Sequence, residues 1–212
     1  MDDIVKAAIA KWPNVPHCYG WLGLDARGNW YLRDDLAQAA GPFNAPSGDA
    51  GRQAASKGSL LEHVKLIDFI ARNYESDESA ASPAKGQWYF QNGPQRVYVE
   101  LEATPYIWRV GAAPDFDVTA HTGQTAITQR CFVDQHGRVY LETALGFGLV
   151  HTQDMLHAAD AIEQGLWVPQ EVLARDLPQR FGYVRSPEAA TKAASKAANI
   201  ANRATSHWRQ AL

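Results

Sequence analysis

Glu100 and Glu102 stand two residues apart in the run QRVYVELEATPY. On a strand that spacing points two carboxylates the same way, the minimum arrangement for acid–base work or for gripping a cation. Such a pair is more often a solvated strand face. Tyr89, Arg96 and Tyr98 join it when GQWYFQNGPQRVYVEL is folded as a hairpin about Asn92-Gly93. Two aromatics then flank an arginine, and those residue types anchor interfaces. Tyr89, Arg96, Tyr98, Glu100 and Glu102 are therefore the expected binding surface. The rival arrangement lays the C-terminal helix over this face, pairing its basic residues with the two glutamates and making Tyr98 part of a second core.

Other chemistries find less support. The metal-ligating types are scattered, with no C-x-x-C or H-x-x-x-H spacing, and His17 and Cys18 are adjacent, so a strand would point them apart. His151, Asp154 and His157 lie three apart, but six helical residues rotate by about 600°, which does not bring the two histidines onto one face. Cys131 falls on a predicted core face, where a thiol is inert. No G-x-S-x-G elbow occurs, GFGLVH lacks the Lys-Ser/Thr of a phosphate loop, and LGFG lacks the third glycine of a dinucleotide fingerprint. Neither a catalytic set, a metal nor a cofactor is expected.

The elements that must position the five residues follow from pattern. LDARGNWYL at 24–32 and VDQHGRVYL at 133–141 share Asp, Gly, Tyr and Leu at the same offsets. Aspartate opening a type I turn and glycine in the left-handed position suit a hairpin. Pairing outward sets Leu24 opposite Trp30 and Leu22 opposite Leu32, with Trp21, Gly23 and Tyr31 on the other face. In the second copy Val133 faces Val139 and Cys131 faces Leu141. Asn92-Gly93 sets Trp88 opposite Val97 and Tyr89 opposite Arg96. Trp88, Phe90, Val97, Val99 and Leu101 then share the core face.

Helices are expected at 2–12, with Ile4, Ala8 and Ile9 inside and Pro13 as its stop. A second runs from Ser59, capped by Ser59 and Glu62, with Leu60, Val64, Ile67, Ala71 and Tyr74 as its stripe. A third runs from about Gln153, capped by Thr152, with Met155, Ala159 and Ile162 inside and Gly165 at its end. Another opens at Pro169. The last follows Ser186-Pro187-Glu188, with a stripe of Ala193, Ala197, Ile200, Ala204 and Trp208. RFGYVR reads as a final strand. Residues 37–58, rich in Ala, Gly, Pro and Ser, and 111–125 read as loops.

The chain has 212 residues, 46% apolar and 20% charged, with net charge −3. That is ordinary globular composition, and no global field recruits nucleic acid. The helix from 187 carries net +3, leaving −6 on the rest. MDDIVKAAIAKWP has two acids where a secretory leader has a basic stretch, and no apolar run reaches membrane length. Two cysteines are too few for a disulfide scaffold. A cytoplasmic protein is expected, taking a protein or small-molecule ligand, with a homodimer through the last helix as one arrangement.

The order of hairpin, helix ending in FIARNYESD, then GQWYFQNGPQRVYVELEATPYIWRV resembles uncharacterised proteobacterial proteins of a domain-of-unknown-function family. The likeness spans residues 20–145. It implies two related α+β halves and a signalling or ligand-sensing role, and it supplies no catalytic residues. The fold expected is α+β, with antiparallel hairpins in residues 1–112 and 113–186, helices packed on one face, and a basic helix at 187–212. The function expected is a non-enzymatic binding or regulatory protein; the alternative is a small hydrolase using Glu100/Glu102 or a histidine.

Overall fold

The computed structural model describes residues 2–12, 14–45, 50–80 and 82–209. The elements run α1 (Asp3–Lys11), β1 (Cys18–Leu24), β2 (Trp30–Leu32), α2 (Asp35–Ala40), α3 (Ala50–Lys57), β3 (Ser59–Leu60), α4 (Val64–Arg72), β4 (Tyr74–Ser76), β5 (Trp88–Asn92) and β6 (Gln95–Leu101). They continue with β7 (Tyr106–Val110), β8 (Val118–Ala120), β9 (Thr125–Ala126), β10 (Thr128–Asp134), β11 (Val139–Thr143), β12 (Phe147–Val150), α5 (Met155–Glu163), β13 (Pro169–Val172), α6 (Leu177–Arg180) and α7 (Pro187–Arg209). The fold is α+β. No helix among the described residues is long and apolar enough to cross a membrane.

Two sheets share one core. The first has the order β3-β2-β1-β6-β5-β4, the second β13-β10-β11-β12-β7-β8-β9. Within them lies one pattern used twice. A hairpin (β1-β2, β10-β11) is followed by an antiparallel third strand (β3, β12). A helix (α4, α5) comes next, and a later strand returns parallel to the first (β6, β13). The spatial orders β3-β2-β1-β6 and β12-β11-β10-β13 are the same. Apolar side chains of both sheets, among them Trp30, Val99, Leu101, Ile107, Trp108, Phe132 and Leu141, meet in a continuous cluster.

The repeated stretch is the turn that closes each hairpin. Gly28 and Gly137 have φ of +83° and +73°. Asp25 Oδ1 accepts the N–H groups of Arg27 and Asn29, each at 2.8 Å. Asp134 Oδ1 accepts those of His136 and Arg138, at 2.9 and 3.0 Å. Each carboxylate satisfies donors that the tight turn leaves over, while glycine takes a left-handed conformation without a Cβ clash. Leu24 pairs with Trp30, Leu22 with Leu32, Val133 with Val139 and Cys131 with Leu141, as the turns require.

Several local expectations are corrected. The third hairpin turns at Gly93-Pro94, giving Phe90↔Val97 and Tyr89↔Tyr98. A turn centred on Asn92-Gly93 would need the N–H of residue 94 to close it, and proline has none. The slip spans two residue positions in the pairing, so the face assignments survive it. Residues 37–58 hold α2 and α3, and 111–125 hold β8 and the start of β9. Ser59–Leu60 is an edge strand, and α4 is capped by His63, whose Nδ1 accepts from Leu66 N at 3.2 Å. The buried residue of α4 is Ile70, while Val64 is exposed. In α1 the buried residue is Val5, and Ile4 is exposed; Pro13 lies outside the described residues. Ala158 and Ala161, not Ala159, form the inner side of α5; Thr152 does not cap it but opens a 3-10 turn, Thr152–Asp154, that leads into the helix and is itself capped by His151. Pro169 opens edge strand β13, where a missing N–H costs nothing. RFGYVR is irregular, although Arg185 O accepts from Leu101 N at 2.8 Å. Helix α7 begins as expected, with Ala189 N donating to Ser186 Oγ at 3.2 Å. The side chains of Ile200, Arg203, Ala204, Trp208 and Arg209 lie outside the described residues.

Candidate functional site

The hairpin β5-β6 brings Tyr89, Arg96 and Tyr98 together on the face opposite the shared core, but that face is closed. Tyr98 and Glu100 are each 1% exposed, and Tyr89 is buried. The expectation of an outward contact surface is corrected for these three residues. The reason is the parallel pairing of β1 with β6, which lays a second aromatic strand alongside. Tyr19 stacks on Tyr98 at 4.5 Å, and His17 meets its edge at 5.7 Å. The Arg96 guanidinium lies 4.4 Å over the Tyr89 ring and pairs with Asp77 at 2.8 Å. The Tyr89 hydroxyl donates to Glu75 at 3.0 Å. Tyr19, Ala84, Tyr89 and Tyr98 make a small second core.

The glutamates part company. Glu100 Oε1 accepts the backbone N–H of Glu188 at 3.0 Å, so the first turn of α7 sits on it. Burial raises the Glu100 carboxyl above the ordinary carboxylate range. Glu102 instead accepts from Lys57 Nζ at 2.9 Å and Ala26 N at 2.8 Å, tying α3 and the first turn together. Helix α7 thus does reach this face, but through its backbone; the cation paired with Glu102 comes from α3.

An open site lies on the other side of the same sheet. Cys18 pairs with Val97 but Leu22 with Val99, so β1 carries two extra residues. Gly20, at φ +82°, makes that bulge. Its carbonyl accepts from Arg33 Nη1 at 2.9 Å, and Trp21 O accepts from Arg33 N at 2.9 Å. Bulges re-aim side chains, and here Trp21 is left 45% exposed. It stands at the rim of a groove of about 530 Å³ whose walls include Leu22, Leu32, Leu66, Ile70, Phe90 and Val97. Cys18, Asp34 and Asn92 supply its polar rim. That size and lining are those of a small-molecule site. Burial raises the Cys18 thiol, keeping it protonated.

Beside the groove sits Arg33, 1% exposed, which no pattern in the sequence singles out. Its guanidinium donates to the carbonyls of Ser56 at 2.8 Å, Gly20 at 2.9 Å and Gly41 at 2.7 Å, and lies 4.0 Å from Glu188. It fastens the α2–α3 segment to the bulge. Phe43, fully buried, fills the space over Gly23, where a Cβ would stand 2.4 Å from the ring. The signal for this corner was the glycine between aromatics in CYGWLGL, which interrupts strict alternation.

Two of the histidines meet backbone groups. His151 Nδ1 accepts from Gln153 N at 3.1 Å, and His157 Nδ1 lies 2.8 Å from Val110 O. Asp154 takes a two-point ion pair from Arg109, at 2.5 and 3.0 Å, and lies well placed to hold its proton off. Among the described residues no group of three or more His, Cys, Asp or Glu could hold a metal ion.

Two sheets built on one strand order, with an apolar groove beside a bulged strand, define an α+β protein. The chain belongs to the DUF2944 family, described as "Protein of unknown function (DUF2946)", which matches residues 1–188. Two solved structures are similar. A DUF1285 family protein from Silicibacter pomeroyi DSS-3 has a TM-score of 0.43 and 12% identity over 72% of this chain and 74% of its own. A DUF1285 family protein from Shewanella baltica OS155 has a TM-score of 0.38 and 13% identity over 66% and 91%. No curated protein matches the chain.

Proposed function

We propose that this is a non-enzymatic regulatory protein of the cytoplasm that binds a small, mainly apolar molecule in the Trp21–Leu66 groove. The observation that carries the reading is the bulge at Gly20, which holds Trp21 at the edge of an unfilled apolar groove. Leu32, about half exposed, extends the apolar surface along β2. Exposed apolar area of this kind marks a binding site more often than chance. Both thiols are unbridged, which suits a reducing compartment. The hydrolase reading has less behind it. Glu100 is engaged by the α7 backbone and Glu102 by Lys57 and the Ala26 N–H, so both carboxylates already have partners.

The test is titration of the full chain with anilinonaphthalene sulfonate, followed by competition with medium-chain fatty acids and aromatic acids. Saturable fluorescence is expected. Leu66→Trp fills the groove from α4 and should weaken the probe about tenfold, roughly 1.4 kcal/mol, while the melting temperature stays near that of the parent. Absence of saturable binding, or a Leu66→Trp protein that binds the probe as the parent does, rejects the reading.

A further inference from the structure

A second, chemically opposite cavity lies where the two halves meet. It measures about 70 Å³ and is polar, lined by Glu102 and Thr104 after β6, Arg138 and Tyr140 on the second hairpin, and Tyr183 and Arg185 before α7. Most of these groups are already engaged. The Thr104 hydroxyl donates to Tyr106 O at 2.7 Å and accepts from Leu149 N at 2.9 Å. The Tyr140 hydroxyl donates to Asp134 Oδ2 at 2.9 Å. The Glu102 carboxylate is held by Lys57 and Ala26. Arg138 turns Nε and Nη2 to the same Asp134 oxygen, each at 2.8 Å.

What is left over is of one kind. Arg185 donates Nη2 to the backbone carbonyl of Glu102 and has no carboxylate partner among the described residues. Its remaining N–H groups, Arg138 Nη1 and the hydroxyl of buried Tyr183 are donors without a hydrogen-bond partner there. The charges of Arg138 and Asp134 cancel, as do those of Lys57 and Glu102, so the cavity keeps the one positive charge of Arg185. Both arginines act on Tyr183, pulling against the burial that raises its hydroxyl. A concave site with surplus donors, a surplus cation and guanidinium forks selects an oxyanion. The space is about that of two waters, close to a tetrahedral oxyanion.

We infer that this cavity binds a phosphate-sized oxyanion through Arg138, Tyr183 and Arg185, either as the free ion or as the phosphate end of a small monoester. The site is separate from the groove and stands whether or not the groove binds a ligand. Calorimetry on the full chain tests it, with inorganic phosphate and glycerol phosphate as titrants and sodium chloride of equal ionic strength as control. Saturable binding of phosphate is expected. Arg185→Gln should weaken it about tenfold, and Tyr183→Phe several-fold. Because Arg185 also holds the Glu102 carbonyl, Tyr183→Phe is the decisive variant: its ring remains to pack on Phe147. Glycerol phosphate binding as well as phosphate assigns recognition to the phosphate group; binding of phosphate alone assigns the free ion. No saturable heat, an equal response to chloride, or variants that bind like the parent overturn the site.

Discussion

Acidification should destabilise this protein through His121, well above the pH at which carboxylates titrate. His121 follows β8 and donates its backbone N–H to Ile107 O at 2.8 Å, while its Nδ1 accepts from Ile107 N at 3.3 Å. Nδ1 is therefore unprotonated and the proton sits on Nε2, which is shut off from solvent without a hydrogen-bond partner. The rings of Trp30, Tyr74 and Tyr106 surround it at 5.4, 5.7 and 5.9 Å. Burial pushes the imidazole down to about 3 from 6.5, and Asp25 opposes it only in part. A second proton would have to enter at Nδ1, against the Ile107 N–H. A base whose folded pKa lies below its unfolded value contributes stability that is complete above the unfolded pKa and is lost as pH falls. The loss runs from about pH 6.5 toward about pH 3, and reaches about 2 kcal/mol by about pH 5. For a chain of this size that corresponds to a fall of about 4–8 °C in melting temperature. Differential scanning calorimetry of the parent and His121→Gln at neutral pH and near pH 5 measures it. The amide oxygen of glutamine can still accept from Ile107 N, so most of the pH dependence should vanish in the variant. A remainder is expected from His17 and His151, which burial also lowers. A parent protein equally stable at both pH values, or a variant with the parent's slope, refutes the argument.

The two turn glycines should differ in their tolerance of a side chain. A Cβ on Gly28 would stand 2.9 Å from His121 Cβ, whereas Gly137 has open space; Gly137→Val should cost about 1–2 kcal/mol from backbone conformation alone, and Gly28→Val clearly more, as read from denaturant melts. Cys131 is buried and its thiol is pushed up to about 11, so an aromatic disulfide reagent should label Cys18 in the native protein long before Cys131; comparable rates would mean that β10 is not seated as described. Arg33→Met leaves the carbonyls of Gly20, Gly41 and Ser56 without their donor and should destabilise by about 3 kcal/mol or more, with proteolysis first appearing within residues 41–58.

What could be read from the sequence was local chemistry. Asp25, Gly28, Asp134 and Gly137 announce their turns because few residues satisfy such a conformation, and the turns then dictate pairings such as Cys131↔Leu141. Alternation placed Trp88, Phe90, Val99 and Leu101 on the core side, and it survived the slip at Pro94. The opposite face was illegible for a different reason. Whether Tyr98 meets water depends on β1 lying parallel to β6, a contact across some eighty positions that no local pattern encodes. The same applies to α2 and α3, short helices in an Ala-, Gly- and Ser-rich stretch that are held by Arg33 and Phe43 rather than by propensity. The groove was hidden among residues such as Leu22, Leu32, Phe90 and Val97, whose apolar character reads as core until the bulge displaces Trp21. Of the five residues first singled out, Glu102 lines the polar cavity.

The two halves share a framework and differ in what each adds to it. Each turn aspartate has a tyrosine six positions on. The Tyr140 hydroxyl donates to Asp134, and Asp25 adds to the burial that holds the proton on Tyr31. The shared Tyr of the repeated stretch is thus part of the turn's own electrostatics, which explains why it recurs with Asp and Gly. Two positions further the halves diverge. Arg33 follows Leu32 and is buried among carbonyls, whereas Glu142 follows Leu141 and pairs with Arg130. Only the first half has a segment such as α2–α3 between its second and third strands, and that segment is what Arg33 holds. The paired framework therefore leaves little room for chemistry where the halves agree. The groove forms where the first half carries a bulge and an insertion, and the polar cavity forms where a connecting segment and the approach to α7 cross the second hairpin. Residues unique to one half, Trp21, Arg33, Tyr183 and Arg185, are accordingly the ones whose substitution should change binding, while the aspartates and glycines common to both should change stability alone.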